Sequence, residues 1–309
     1  MNSNQEKQEC CSKAAPSAEQ LSSRLSKLEQ RIGETYRDGV GVNPVDGENL
    51  PRRSEVVAIT GKLLEVIFPG FDGRSQYHRA RIGEDVALLL REIYSELFDQ
   101  ICRAIHYHYK EEACCEFGVS RRTNRAVFAL LDALPEIRET MKADVAAAYA
   151  GDPAAVSYDE IILSYPGIKA ITIQRLAHVL YTVETPLIPR MMTEYAHSLT
   201  GIDIHPGATL GKGIFIDHGT GVVIGETCVI GRGCRLYQGV TLGALSFPKG
   251  ADGVLIKGIP RHPKLEDDVT VYAGATILGN ITIGAGSVIG ANTWVTRDVP
   301  RNSKVVSGD

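Results

Sequence analysis

The sequence has few aromatic residues and no long apolar run, and each absence limits what the protein can be. Aromatic side chains make up 6% of the 309 residues, and Trp294 is the only tryptophan. No apolar run reaches the ~18 residues that a helix needs to cross a bilayer, and the N-terminal stretch MNSNQEKQECCSK lacks the apolar core of a secretory signal. We therefore expect a cytoplasmic protein with no membrane partner.

An excess of positive charge is also missing. Lys and Arg number 33 against 37 Asp and Glu, which gives a formal net charge of -4. Nucleic acids and acidic lipids bind basic surfaces, so we expect no nucleic-acid partner. Hydrophobic residues at 44% and charged residues at 23% are typical of folded globular proteins, and the length allows one large domain or two modest ones.

The cysteines form neither a disulfide framework nor a zinc pattern. They are odd in number, include two adjacent pairs and contain no CxxC, which favours a reducing compartment. The seven are Cys10, Cys11, Cys102, Cys114, Cys115, Cys228 and Cys234. His106 and His108 stand two residues apart, a spacing that does not put both on one helical face, so we expect no metal site there.

Before residue 200 the apolar pattern is helical. Residues 1–20 are polar and are predicted to be a mobile N-terminal segment. Apolar residues at spacings of three and four then predict a helical domain over 21–200. Pro135 is expected to begin a new helix, which Gly151 closes. The first apolar stripe, in a helix predicted from Ala18 to Tyr36, consists of Leu21, Leu25, Leu28 and Ile32.

After residue 200 the apolar period becomes six. A hexapeptide parallel β-helix has this period, because each unit forms a short strand and a turn and points one aliphatic side chain inward. The predicted fold class is α + β, with an N-terminal all-helical domain and a β-helix over 201–309; the spacing does not fix the handedness. The repeating positions are Ile204, Leu210, Ile216, Ile224, Ile230, Leu236, Leu242, Leu265, Val271, Ile277, Ile283, Ile289 and Val295.

Two interruptions of this period are candidates for a functional site, because insertions in a solenoid form loops on its outside. The first adds two residues in IDHGTGVVIGE and carries Asp217 and His218. The second is the long loop from Ala244 to Lys264, which carries Arg261 and His262.

The spacing of these residues leaves two interpretations open. Asp203 precedes His218 by 15 residues, nearly one coil of a hexapeptide helix, so the two can be stacked neighbours. A carboxylate beside an imidazole is typical of a general base, but an exposed turn histidine fits the same spacing. Arg261 and His262 fit a carboxylate-binding pair and fit solvated loop charges about as well.

Two other functions are excluded by local sequence. His205 is followed by proline in DIHPG, which favours a structural turn. Three histidines in the coil, His205, His218 and His262, are also the number that bind zinc in a carbonic anhydrase of the γ type. That class places two of its histidine ligands a few residues apart on one turn, and no such pair follows Thr200. The stretch GATLGKG lacks the Ser or Thr that follows GK in a phosphate-binding loop.

Three stretches resemble the serine O-acetyltransferases, a hexapeptide-repeat acyltransferase family. They are GIDIHPGATLGKGIFIDHGTGVVIGET, YQGVTLGA and RHPKLEDDVTVYAGATILGNITIGAGSVIGANTWV. The resemblance covers about residues 120 to 300 and includes AGDPAA and GIKAITIQRLAHVLY in the helical part. It implies a left-handed β-helix and transfer of acetyl from acetyl-CoA to the hydroxyl of L-serine, which yields O-acetyl-L-serine and CoA in the first step of cysteine biosynthesis.

The resemblance also implies roles for individual residues. His218 would be the general base of a direct transfer, with Asp203 as its orienting partner. The serine ammonium would be held by Asp152 and Asp217, and its carboxylate by Arg261 and His262. Glu226 would line the same pocket. The pantetheine arm of coenzyme A would contact Gly243, Ala273 and Ala291.

The family further implies acetyl-CoA as co-substrate, no permanently bound cofactor and no metal. L-cysteine is expected as a feedback inhibitor. The chain is expected to form a homotrimer or a dimer of trimers, with active sites between subunits. The sequence stops at Asp309 before the family's usual aliphatic tail, which leaves two interpretations open: a complex with O-acetylserine sulfhydrylase is possible but disfavoured, or the sequence is truncated. The 244–260 loop is longer than in many relatives, and Ala244 replaces a glycine.

Three alternatives stay open at this level. Another hexapeptide acyltransferase would act on a sugar or a different amino acid, and the charges that suit a zwitterion argue against a sugar. L-homoserine differs from L-serine by one methylene, which changes binding by only ~1 to 3 kcal/mol. A non-catalytic scaffold would leave Asp203 and His218 as incidental turn residues.

Overall fold

A computed structural model describes residues 17–37, 50–73, 77–109, 116–246, 248–250 and 253–306. Its contacts divide the chain into two compact units, Met1–Glu48 and Asn49–Asp309. The first unit contains helix α1 (Ala18–Thr35), which begins before residue 21 because Ser17 and Gln20 form a capping box at its N-terminus. Residues 1–16 of the predicted N-terminal segment lie outside the described residues.

Within the described part of the second unit, six helices precede the first strand. They are α2 (Arg53–Ile67), α3 (Ile82–His108), α4 (Glu116–Gly151), α5 (Tyr158–Ser164), α6 (Pro166–Thr182) and α7 (Ile188–Thr200). Their apolar stripes meet in one core, where Leu63, Ile93 and Leu130 are fully buried. Helix α7 ends at Gly201, whose φ of 69° is a left-handed conformation that glycine adopts without steric cost.

The expectation that Pro135 begins a new helix is wrong. Helix α4 runs unbroken through it, from Glu116 to Gly151. Pro135 lies on the exposed side of the helix, while Leu134 and Ile137 on either side are buried. Water can therefore bond the carbonyl that loses its proline partner, and burial of the opposite face keeps the helix continuous.

The strands after residue 202 are two or three residues long and wind into a three-sided coil. Three parallel sheets have the orders β1-β4-β7-β10-β13, β2-β5-β8-β11 and β3-β6-β9-β12-β14. The strands are β1 (Asp203–Ile204), β2 (Thr209–Leu210), β3 (Phe215–Ile216), β4 (Val223–Ile224), β5 (Val229–Ile230), β6 (Arg235–Leu236), β7 (Thr241–Gly243), β8 (Lys264–Leu265), β9 (Thr270–Val271), β10 (Thr276–Leu278), β11 (Thr282–Ile283), β12 (Val288–Ile289), β13 (Trp294–Val295) and β14 (Lys304–Val305).

The pairing register confirms the six-residue period. Val223 pairs with Thr241, and Thr276 pairs with Trp294, so one coil takes 18 residues where nothing is inserted. Of the thirteen repeating aliphatic positions, all are buried except Leu210, which is partly buried at the helical end of the coil. Aliphatic side chains therefore fill the coil interior, as the hexapeptide pattern predicts.

A buried ion pair joins the helices to the coil. Asp144 of α4 lies 3.0 Å from Arg175 of α6, and its side chain is completely buried. Asp144 also accepts a hydrogen bond from the Ile214 amide at 2.8 Å, and Arg175 donates to the carbonyls of Leu210 and Gly211. Burial raises the pKa of Asp144, against the opposing charge of Arg175. Both side chains thus bind the backbone of the first coil.

Candidate active site

The first edge of the coil consists of the turns that connect β3 to β4, β6 to β7, β9 to β10 and β12 to β13. Backbone hydrogen bonds stack these turns: the amides of Gly239, Gly274 and Asn292 donate to the carbonyls of the turn below, at 2.9 Å in each case. The His218 insertion, Ala273 and Ala291 therefore follow one another along this edge.

The second edge of the coil consists of the turns that leave β1, β4 and β7. It carries His205 after β1, Glu226 after β4, and the long loop that ends in Arg261 and His262 before β8. His205 has the turn contact expected from its sequence, because its Nδ1 accepts a hydrogen bond from the Gly207 amide at 3.0 Å. The parallel strands of one sheet separate the two edges, and the predicted site residues are divided between them.

His218 lies on the first edge with its ring exposed. Its φ of 58° is in the left-handed region, which histidine enters more readily than most residues. Its side chain is 71% exposed, whereas that of Asp217 is 15% exposed, and Nδ1 of His218 lies 3.8 Å from Oδ1 of Asp217. The insertion therefore projects an imidazole beside a carboxylate that is held close to the coil.

Asp152, at the end of α4, belongs to the same group. Tyr165 donates a hydrogen bond from its hydroxyl to Oδ2 of Asp152 at 2.5 Å, and the Ala154 amide donates to Oδ1 at 2.8 Å. These bonds hold the pKa of Asp152 below its ordinary value, and the charge of His218 acts in the same direction. The bond to Asp152 raises the pKa of Tyr165 to about 12, so Tyr165 remains a donor.

Asp203 has no hydrogen bond with His218 among the contacts of the described residues. Its carboxylate lies in a group with Glu194 and His197 of α7, whose ligand atoms all lie within 4.8 Å of one another. Its backbone amide bonds the Val222 carbonyl at 2.9 Å, which stacks β1 beneath β4. The orienting role of Asp203 stays a prediction.

Glu226 and Arg261 form an ion pair on the second edge. Arg261 donates to Oε2 of Glu226 at 2.5 Å, and the Tyr181 hydroxyl donates to Oε1 at 2.8 Å. Burial raises the pKa of Glu226, but the bonds from Tyr181 and Arg261 outweigh it and the pKa is lowered. Burial and the bond to Glu226 raise the pKa of Tyr181 to about 12. Sequence reasoning predicted Glu226 and Arg261 but missed Tyr181.

Thr227 organises the adjacent segment, and sequence reasoning did not identify it. Its hydroxyl accepts hydrogen bonds from the amides of Arg261 at 3.0 Å and His262 at 3.2 Å. Its own amide donates to Nδ1 of His262 at 3.1 Å, so the neutral ring carries its proton on Nε2. Burial and the charge of Arg261 lower the pKa of His262 to about 4, which keeps the ring neutral at physiological pH.

The imidazole of His262 lies directly over Gly225. A Cβ at Gly225 would collide with the ring carbons and Nε2 of His262. Within the sequence Gly225 looks like the other small residues of the coil, so nothing local signals this contact with a residue beyond the long loop. The glycine is required here for close approach.

The three residues predicted to contact coenzyme A do not lie together. Ala273 is half-buried and Ala291 exposed, and both lie on the first edge, one coil apart, where the rings of Tyr237 and Tyr272 stack at 5.1 Å. Gly243 ends β7 at the second edge and pairs with Leu278. A Cβ at Gly243 would lie 2.9 Å from Cδ2 of Leu278, so a larger residue would require the end of the Leu278 side chain to move.

The two cysteines of the coil are structural. Cys228 and Cys234 are free and buried, and burial raises the pKa of their thiols to about 12 and about 11, respectively. A thiol in this state is a poor nucleophile.

Among the described residues, no helix is long and apolar enough to cross a membrane.

The coil and its repeat define the chain as a hexapeptide-repeat transferase. The model of the bacterial transferase hexapeptide (six repeats) matches residues 262–297. A plasmid-encoded serine acetyltransferase of Synechococcus elongatus is 49% identical over 257 residues, which cover 82% of this chain and 81% of the relative. The serine acetyltransferase of Bacillus subtilis is 47% identical over 166 residues, 54% of this chain and 72% of that one. This chain belongs to the serine acetyltransferase family.

Solved structures agree with this assignment. Serine acetyltransferase 1 of Entamoeba histolytica, in complex with L-cysteine, has a TM-score of 0.70 at 37% identity and covers 88% of this chain and 94% of its own. The serine acetyltransferase of Neisseria gonorrhoeae, in complex with serine, has a TM-score of 0.53 at 29% identity, covering 82% and 92%. The predicted fold class, helices followed by a left-handed parallel β-helix, is confirmed.

Proposed function

We propose that this protein transfers the acetyl group of acetyl-CoA to the hydroxyl of L-serine and so forms O-acetyl-L-serine and CoA. The observation that carries the proposal is the exposed imidazole of His218 beside the carboxylate of Asp217, and within electrostatic range of Asp152, in a member of the serine acetyltransferase family. The reaction is the first step of cysteine biosynthesis, and we place it in the cytoplasm.

His218 acts as general base in a direct transfer. A serine hydroxyl is a weak nucleophile near neutral pH, so a neutral imidazole must take its proton as the oxygen attacks the thioester carbonyl. The tetrahedral intermediate then collapses, and the CoA thiolate leaves and is protonated. Asp203 is proposed to orient the ring. Because the thiols of Cys228 and Cys234 are buried and protonated, no covalent acetyl-enzyme is part of the scheme.

Serine binding uses opposite charges for its two ends. Asp152 and Asp217 hold the ammonium group, and the hydrogen bonds that lower the pKa of Asp152 keep its carboxylate anionic at neutral pH. Arg261 and the Nε2 proton of neutral His262 hold the carboxylate, and Glu226 fixes the guanidinium of Arg261. A sugar has no charges to match this arrangement.

One complete site takes residues from two chains. The ammonium-binding group lies on the first edge and the carboxylate-binding group on the second, with the strands of one sheet between them. A cyclic homotrimer, alone or paired with a second trimer, brings the first edge of one coil against the second edge of its neighbour within the trimer. Ala273 and Ala291 of the first edge, with Gly243, contact the pantetheine arm of acetyl-CoA, which is a co-substrate; no cofactor is held permanently.

L-cysteine resembles serine in both charged ends, so we propose that it competes with serine for this site as a feedback inhibitor. The serine acetyltransferase of Entamoeba histolytica binds L-cysteine. Competition requires no second site in this chain, because the hydroxyl and thiol occupy the same position between the two charged groups.

The test measures thiol release from acetyl-CoA with L-serine, with L-homoserine and without acceptor. The wild-type chain is compared with His218→Ala and with His218→Asn, because asparagine tolerates the left-handed backbone of this position. We expect serine-dependent thiol release that both substitutions abolish. The circular dichroism spectrum and the number of subunits in the oligomer should remain those of the wild type. Release with another acceptor only, or no release from a folded wild-type oligomer, would favour a different acyltransferase or a scaffold.

A further inference from the structure

Helix α1 presents an apolar stripe to solvent. None of its residues is buried, and the stripe side chains are between 41% and 58% exposed. The stripe consists of Leu21, Leu25, Leu28 and Ile32. A contiguous row of large aliphatic side chains on an exposed helix marks an interaction surface.

The spacing of the stripe selects the kind of partner. Its intervals of four, three and four residues repeat every seven residues, the pattern of core positions in a coiled coil. Ala18 continues the series on the N-terminal side at an interval of three. A seam of this kind fits another helix with the same repeat, and a second copy of this chain supplies one.

The charges beside the stripe favour parallel pairing. In a parallel coiled coil with aligned seams, Arg24 of one helix faces Glu29 of the other, because these residues take the flanking g and e positions five residues apart. An antiparallel pairing would instead bring the g positions together, so that Arg24 and Arg31 would face each other across the seam. Opposite charges thus match in one orientation and like charges oppose the other.

We propose that α1 forms a parallel coiled coil with α1 of a second copy of this chain. The proposal rests on the cyclic homo-oligomer proposed above, because an 18-residue helix is too short for strong pairing alone and gains from tethering to chains already assembled. Rotation about one axis relates the chains of a cyclic assembly, which is the symmetry that parallel helices require.

The test is crosslinking of the full chain by a short bis-maleimide. Leu28→Cys puts a thiol in the seam, and Gln30→Cys is the matched control on the outer face of the same helix. Both variants keep the native cysteines, so these add the same background. We expect several-fold more crosslinked dimer from Leu28→Cys than from Gln30→Cys, and equal yields would overturn the proposal.

Charge reversal tests the orientation. In the Leu28→Cys chain, Arg24→Glu should lower the crosslinking yield, and adding Glu29→Arg should restore it. Failure of the double reversal to restore the yield contradicts the parallel pairing. Light scattering on the same samples separates the two proposals: a monomer overturns the oligomer and the coiled coil together, whereas an oligomer without seam-specific crosslinking overturns only the coiled coil.

Discussion

Thr227 positions two side chains that we assign to serine binding. Its hydroxyl and amide together fix the backbone of Arg261 and the ring of His262, and its Oγ1 lies 2.8 Å from Nδ1 of His262. Removing a hydroxyl that satisfies buried amides leaves those amides without partners, which costs about 1 to 3 kcal/mol.

We therefore predict that Thr227→Val raises KM for L-serine about tenfold or more, since 1.4 kcal/mol corresponds to a factor of ten. KM for acetyl-CoA should change less, because two of the three residues proposed to contact the coenzyme, Ala273 and Ala291, lie on the first edge. Thr227→Ser retains the hydroxyl and is the matched control. Steady-state kinetics with each substrate varied will check this, and an equal rise in both KM values would argue for a general disturbance of the coil.

The lowered pKa of His262 leads us to predict that the free energy of unfolding depends on pH. Its pKa is about 4 in the folded chain, whereas an unperturbed histidine has a pKa of about 6.5. Between these values the unfolded chain binds more protons than the folded one, so the contribution of His262 is present above pH ~6.5 and is lost as pH falls towards ~4.

The matching experiment is urea unfolding at several pH values for the wild type and His262→Gln. Glutamine cannot titrate, so the variant should lose less stability than the wild type on acidification through this window. Parallel losses in the two chains would show that carboxylates alone cause the acid sensitivity.

At the scale of single residues, the sequence pointed to the charged residues proposed for the site but not to the residues that hold them in place. Asp152, Asp217, Arg261 and His262 stand in motifs that resemble a family. Tyr165 is the single residue between α5 and α6, and its bond to Asp152 depends on how these helices pack against the end of α4. Contacts of this kind follow from packing, which no local spacing encodes.

Among the secondary-structure elements, the joint between helices and coil depends on Asp144 and Arg175. Removing one partner of a buried ion pair leaves an uncompensated charge and costs about 3 to 5 kcal/mol. We predict a loss of this size for Asp144→Ala, measured as the free energy of unfolding in urea. Glu139→Ala, which removes an exposed ion pair with Lys142, should change stability far less, because water screens an exposed pair. Equal effects of the two substitutions would contradict a structural role for the joint.

The elements themselves were predictable to different degrees. The six-residue period located the coil because each inward side chain must be aliphatic whatever its neighbours do. Pro135 misled the helix prediction because its local cost was weighed without the burial of Leu134 and Ile137 on the opposite face. Leu210 is the one repeating position of the coil that is only partly buried. Its own carbonyl accepts a hydrogen bond from Arg175, where the coil meets the helices.

For the whole molecule, the division of the site between two edges predicts complementation. His218→Ala damages the first edge and leaves the second intact, and Arg261→Ala does the reverse. Each variant alone should be inactive. When both chains are co-expressed, about one interface in four should combine two intact edges and recover activity.

The control combines His218→Ala with a chain carrying both substitutions, a mixture in which no first edge is intact. Thiol release from purified mixed oligomers will measure the result. Absence of activity in a mixture shown by mass spectrometry to contain both chains would contradict a site shared between subunits. The sequence already shows this division, because His218 lies before strand β4 and Glu226 lies after it.

The long loop has one more consequence. It leaves the coil after β7 and returns at β8, yet Thr241 still pairs with Thr276 as if nothing intervened. The length of the loop can therefore vary without a compensating change in the coil, as at the shorter insertion between β3 and β4, because each coil is held only by its neighbours above and below. Evolution can lengthen, shorten or replace the part of the loop before Arg261, and a protein engineer can exchange that part between relatives while the coil and the bonds of Arg261 and His262 to Thr227 stay constant.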